Sequence, residues 1–146
     1  MKIRSVRSLL ALALVAFCTA AAGAAPVPSG DPKLGVKLGI MEMNNSGQDG
    51  ETTLFWRDNG ETTIVVLRVE GEPALRIEPA SIHRTQGFCE TVNPQTVYRL
   101  NPVIHGHSTT TLHVPIMKLL SGNYSIVVGA RLIDPNHYIS CSHLYQ

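Results

Sequence analysis

Apolar positions along this chain come in short runs, spaced for strands. Val36, Leu38 and Ile40 alternate with Lys37, Gly39 and Met41, which predicts a strand over Val36–Met43, followed by a loop from Asn44 to Gly50. Thr52–Trp56 and Thr62–Leu67 are rich in β-branched and aromatic residues and flank Asp58-Asn59-Gly60. Asn59-Gly60 is a strong hairpin-turn signal, because both residues readily adopt positive φ. The segment 62–69 is apolar on consecutive positions, which predicts cover on both of its faces. Further strands are expected at Ala74–Ile77, Val97–Leu100, Thr109–Ile116, Tyr124–Leu132 and Tyr138–Leu144, with 80–95 irregular. Pro115 interrupts Leu112–Leu120, and no long window keeps a helical stripe. The expectation is an all-β domain, a sandwich or barrel of about seven or eight short antiparallel strands.

The amino end follows another rule. Lys2, Arg4 and Arg7 precede an apolar core, Leu9–Phe17, and then small residues from Thr19 to Ala25. This is the order of a secretory signal peptide. The core is far shorter than the roughly 20 apolar residues needed to span a bilayer. Ala22-Gly23-Ala24 forms the cleavage site, and Phe17 is too bulky to precede a lipid-modified Cys18. The reading is therefore a signal peptide over 1–24, a flexible Pro- and Gly-bearing lead-in over 25–33, and one domain over 34–146. A periplasmic or secreted location follows, and the short alanine-rich signal leans bacterial.

Export changes the charge and the fate of the cysteines. The whole chain carries 12 basic and 11 acidic residues; loss of Lys2, Arg4 and Arg7 leaves nine against eleven, a net charge of −2. The basic residues are scattered, so neither nucleic acid nor a polybasic membrane contact is expected. Cys89 and Cys141 remain, and in an oxidising compartment two cysteines predict one disulfide. Closing a loop of about fifty residues stabilises by roughly 4 kcal/mol on the chain-entropy account.

One stretch carries a resemblance. Thr96–Val128 runs from a strand through a Pro-containing turn and a Thr-rich strand to Leu119-x-x-Gly122-x-Tyr124-x-Ile126. It resembles the E–F corner of immunoglobulin-like sandwich domains. The resemblance implies that Tyr124 packs its ring inward and bonds its hydroxyl to nearby backbone. It covers about a third of the exported chain and implies a fold without implying a job.

Candidate chemistry is sparse. Histidine is the enriched type, and the tightest group is His105-Gly106-His107 with His113 downstream. A His-x-His pair on a strand points both rings to one face, and a third imidazole would complete a Zn or Cu site. Against this, Gly106 suggests a turn bearing solvent-exposed histidines. No G-x-S-x-G, H-E-x-x-H or C-x-x-C occurs, and Glu70, Glu72, Glu78 and Asp134 are expected to form a solvated face. The sequence thus predicts no catalytic residue, no cofactor and no enzyme. The leading expectation is an exported module that binds a protein partner, with Phe55, Trp56 and the edge strands as its contact elements. Alternatives are a periplasmic Cu/Zn-binding protein and a small secreted inhibitor or immunity factor.

Overall fold

Alternation of apolar and polar residues produces the first strand where it was expected: β1 spans Val36–Glu42, with Ile40 buried and Lys37, Gly39 and Met41 exposed. A computed structural model describes residues 31, 33–72, 77–129 and 137–145; the segment 1–24, read from sequence as a signal, and most of the expected lead-in lie outside the described residues. After β1 come β2 (Asp49–Arg57), β3 (Thr62–Glu70), β4 (Ile77–Glu78), β5 (Ala80–Gln86), β6 (Thr91–Arg99), β7 (Val103–Ile104) and β8 (His107–Leu112). A six-residue helix, α1 (Ile116–Ser121), precedes β9 (Tyr124–Gly129) and β10 (Tyr138–Leu144). The chain is all-β apart from short helical turns. Among the described residues, no helix is long and apolar enough to cross a membrane.

The strands form one antiparallel sheet in the order β4-β7-β8-β3-β2-β1-β10-β9-β5-β6, curved into a half-barrel. Two devices bend it. β1 pairs with β2 through Val36–Ile40 and then with β10 through Met41 and Glu42, so one strand serves both halves. On the other side β4 leads into β5 across Pro79, and β6 leads into β7 across Leu100–Pro102. The Leu100 N–H donates to the Ala80 carbonyl at 3.1 Å, which holds the two crossings together. The main core lies inside the curve and draws on both halves: Leu54, Val65 and Leu67 on one side, Ile82, Ile126 and Leu144 on the other. Each such side chain contributes about 1.5–3 kcal/mol relative to exposure.

Several local expectations need correction. The 49–70 hairpin forms, with Arg57 opposite Thr62, but its loop is four residues long, from Asp58 to Glu61. Asp58, Asn59 and Gly60 all take positive φ (52°, 55° and 94°). The two-residue turn instead falls at His105-Gly106, where Ile104 pairs with His107 and both turn residues have positive φ. The segment 80–95, read as irregular, supplies β5 and the first half of β6. The strand expected to reach Ile116 ends at Leu112, and α1 begins just beyond Pro115, which has no N–H to extend a ladder. Two-sided burial belongs to β9, whose six residues are all buried, whereas β3 buries Val65 and Leu67 and leaves Ile64 and Val66 half-exposed. Of the expected strand Ala74–Ile77, only Ile77 lies within the described residues.

Gly122 and Tyr124 explain the Leu-x-x-Gly-x-Tyr pattern. The Tyr124 ring is buried in the main core against Tyr98, with ring centroids 6.1 Å apart. It lies over Gly122, where a Cβ would overlap the ring and the Lys118 carbonyl. Among the described residues, however, the Tyr124 hydroxyl makes no hydrogen bond to backbone, so that implied contact is absent.

The outer strand β6 and the strand β8, third from the opposite end, each have part of their hydrogen-bonding row interrupted or taken. β6 pairs Val92 with Thr85 and Thr96 with His83, so Asn93–Gln95 bulge opposite Arg84, and Pro94 lacks an N–H to offer a neighbour. Along β8, the Asn101 side-chain amide donates to the Thr109 carbonyl at 2.7 Å, and the Asn101 N–H donates to Thr110 Oγ1 at 2.8 Å.

Candidate interaction surface

Cys89 and Cys141 are bonded, with Cα atoms 6.2 Å apart across a sequence separation of 52. The bond ties the tip of the β5–β6 hairpin to β10 on the outer face of the sheet. Both cysteines are buried, together with Val127 and Tyr138, in a second small cluster. Cys89 holds positive φ (61°) in the turn 87–90. With Cys89 turned inward, its neighbour Phe88 stands outward, 45% exposed.

Phe88 has aromatic company. Along β10 and just past its end, Cys141, His143 and Tyr145 follow at a spacing of two. The His143 ring lies 5.3 Å from Phe88 and 5.4 Å from Tyr145, and Phe88 and Tyr145 are 5.8 Å apart, centroid to centroid. Tyr145 is 52% exposed. The group is fixed from below: His143 Nδ1 lies 3.1 Å from Ser125 Oγ, which lies 3.0 Å from Thr85 Oγ1. The result is a rigid exposed aromatic patch resting on a disulfide and a chain of hydroxyls.

The Ser125–His143 contact has the composition of a nucleophile and its base, but not the access. Ser125 is 0% exposed and sits 3.8 Å from Cys89 Sγ, beneath the disulfide. No substrate carbonyl reaches it there. His83 is also buried. Its Nδ1–H donates to the Asn93 carbonyl at 2.7 Å, leaving Nε2 to accept from the Ser81 hydroxyl at 2.8 Å. The Tyr138 ring stands edge-on to it at 5.6 Å. Burial pushes the Tyr138 phenol pKa up, and among the described residues its hydroxyl has no hydrogen-bond partner.

The residues singled out by sequence scatter. His105 and His107 are exposed at a hairpin turn, while His113 lies beyond the far end of β8, about 17 Å of strand away. The three imidazoles do not converge, and among the described residues no three His, Cys, Asp or Glu side chains form a metal-sized group. Trp56 is 9% exposed and belongs to the core, which removes it from any contact surface. Asn59 is exposed and Gly60 is buried in the β2–β3 loop. Glu78, expected to be solvated, is 2% exposed and accepts from Gln48 Nε2 at 2.9 Å. Asp134 lies outside the described residues. On the opposite half, Lys37 Nζ meets Glu51 at 3.1 Å, and that hydrogen bond holds the Glu51 carboxyl below its ordinary pKa. Both side chains are well exposed, so the pair adds little stability.

Phe88, His143 and Tyr145 were not singled out by sequence reasoning. A signal was available in the even spacing of Cys141, His143 and Tyr145 and in the adjacency of Phe88 to Cys89. Compared with known proteins, the chain matches no family model, no curated protein and no solved structure.

Proposed function

We propose that this chain is an exported, non-catalytic protein-interaction module of the bacterial periplasm or exterior, built on an immunoglobulin-like sandwich. One observation carries the reading: Phe88, His143 and Tyr145 form an exposed aromatic patch on a disulfide-pinned hairpin. Aromatic anchors on a rigid base are what protein interfaces use, because they desolvate large area at little conformational cost. A disulfide and the absence of a spanning helix among the described residues fit a chain working outside the reducing cytoplasm. The bulged outer edge of β6 favours recognition through side chains over strand addition there.

A photo-crosslinking amino acid placed at Phe88 or Tyr145, in the cell that makes the protein, should give a discrete protein adduct. The same probe at Glu61, in the β2–β3 loop, should not. Adducts of equal yield from all three positions, or none from the patch, would refute the assignment. Phe88→Ala with Tyr145→Ala should abolish capture while leaving the melting temperature within a few degrees.

A further inference from the structure

We propose that a second site, a cleft between β5, β6 and the turn before β9 with mostly polar side chains in its lining, binds a hydroxylated small-molecule carboxylate of sugar-acid size. The cleft has a volume of about 460 Å³, within the range of small-ligand sites. Its walls are Arg84 and Gln86 from β5, Thr91, Asn93 and Pro94 from β6, and Asn123 from the turn. The site is independent of the aromatic patch and does not rest on the function proposed above.

The lining defines the ligand. Arg84 is its single formally charged group and no carboxylate faces in, so an anion is favoured over a cation or a neutral molecule. A guanidinium matches a carboxylate with two parallel N–H donors. Arg84 is already oriented, with its guanidinium 5.1 Å from the centroid of the Tyr124 ring. Among the described residues no carboxylate bonds it, so its donors are free to pair with a ligand. The side-chain amides of Gln86 and Asn123 are likewise without hydrogen-bond partners among the described residues. Planar amides pair naturally with adjacent hydroxyls, each offering a donor and an acceptor. Of the lining residues only Val92 and Pro94 have apolar side chains; the methyls and aliphatic stems of the others supply the rest of its apolar surface, against which the ring carbons of a sugar acid would pack.

The walls are stiff. The β6 bulge is pinned by His83 Nδ1–H donating to the Asn93 carbonyl at 2.7 Å and by the Gln95 N–H donating to Asn93 Oδ1 at 2.9 Å. Asn123 holds positive φ (51°), and its carbonyl accepts the Thr85 N–H at 2.9 Å. Bulges that re-aim side chains recur beside binding sites, and preformed walls lower the entropic cost of binding.

Calorimetry and side-chain ¹H–¹⁵N spectra of the oxidised mature protein test the proposal, with glucuronate, glucose, acetate and a free-acid tripeptide as probes. Glucuronate should bind one-to-one and shift the Arg84 Nε–H and the Gln86 and Asn123 amide signals. Glucose, acetate and the tripeptide should each bind at least tenfold more weakly. Arg84→Gln should weaken glucuronate at least tenfold. Because Arg84 also stacks on Tyr124, Gln86→Ala provides a second variant with no structural partner to lose, and it should weaken binding several-fold. Glucuronate that fails to saturate at millimolar concentration overturns the site, as does affinity unchanged in both variants. Acetate or tripeptide binding equal to glucuronate overturns the requirement for hydroxyls.

Discussion

Replacing Tyr138 by Phe should stabilise the protein, against the usual trend for a buried residue. Tyr138 is 8% exposed, and its hydroxyl is buried without a partner among the described residues. Leaving a buried donor unsatisfied costs about 1–3 kcal/mol, and Phe removes the hydroxyl while keeping the ring. The edge-on contact with His83 and the packing against Val127 and the disulfide survive the change. Urea or thermal unfolding at pH 7 should show a gain of about 1 kcal/mol, or about 4 °C in Tm for a domain of this size. The same residue sets a pH dependence. Burial raises the folded phenol above its unfolded pKa of about 10. The folded state then holds its proton where the unfolded state releases it. This stabilising contribution is complete below the unfolded pKa and is lost as pH rises through the folded one. Subtracting the Tyr138→Phe stability profile from that of wild type between about pH 8 and 12 should isolate that loss. A variant less stable at neutral pH, or a difference profile flat through the alkaline range, would show that the hydroxyl has a partner.

Two further substitutions test packing and covalent closure. Gly122→Ala should destabilise by about 1–3 kcal/mol, since its Cβ meets the Tyr124 ring and the Lys118 carbonyl, whereas Tyr124→Phe should change stability by less than about 0.5 kcal/mol, both read by denaturant midpoint. Reduction, or Cys89→Ser with Cys141→Ser, should cost about 4 kcal/mol, the loop-closure value for a separation of 52; a loss under about 1 kcal/mol would mean that the denatured state is already constrained there.

The all-β class was legible because β1, β2, β3 and β10 show runs that only strands use. The segment 80–95 was not, and the reason is physical. Along β5, Ala80 and Ile82 face the main core, while His83 and Thr85 are buried on the other side. Polar residues buried by hydrogen bonding look like solvent-facing residues in a hydropathy pattern, so a two-sided strand reads as none. β7 escaped because it is two residues long and abuts a proline-bearing crossing, while β4 overlaps the strand expected over Ala74–Ile77 only at Ile77. The hairpin at Asn59-Gly60 was visible, but loop length depends on cross-strand register, which no dipeptide encodes. Of the candidate surface, the Cys89–Cys141 bond followed from the cysteine count. The patch around it did not, because Phe88 and Tyr145 gain meaning only once the disulfide brings the hairpin tip beside β10. The histidines fared in the opposite way: neighbours along the chain, His107 and His113 are parted by the strand between them.

The bulge at Asn93–Gln95 and the Asn101 brace on β8 bear on how these molecules meet one another. A nine-residue outer strand is a seed for runaway growth, since each added chain presents the same open row of amides to the next. Here the row is broken midway along β6, and beside β8 the Thr109 carbonyl is already taken by Asn101. A copy that meets β6 therefore finds no unbroken template to extend. Growth of the sheet through that strand is discouraged, while Phe88 and Tyr145 stay exposed on another part of the surface.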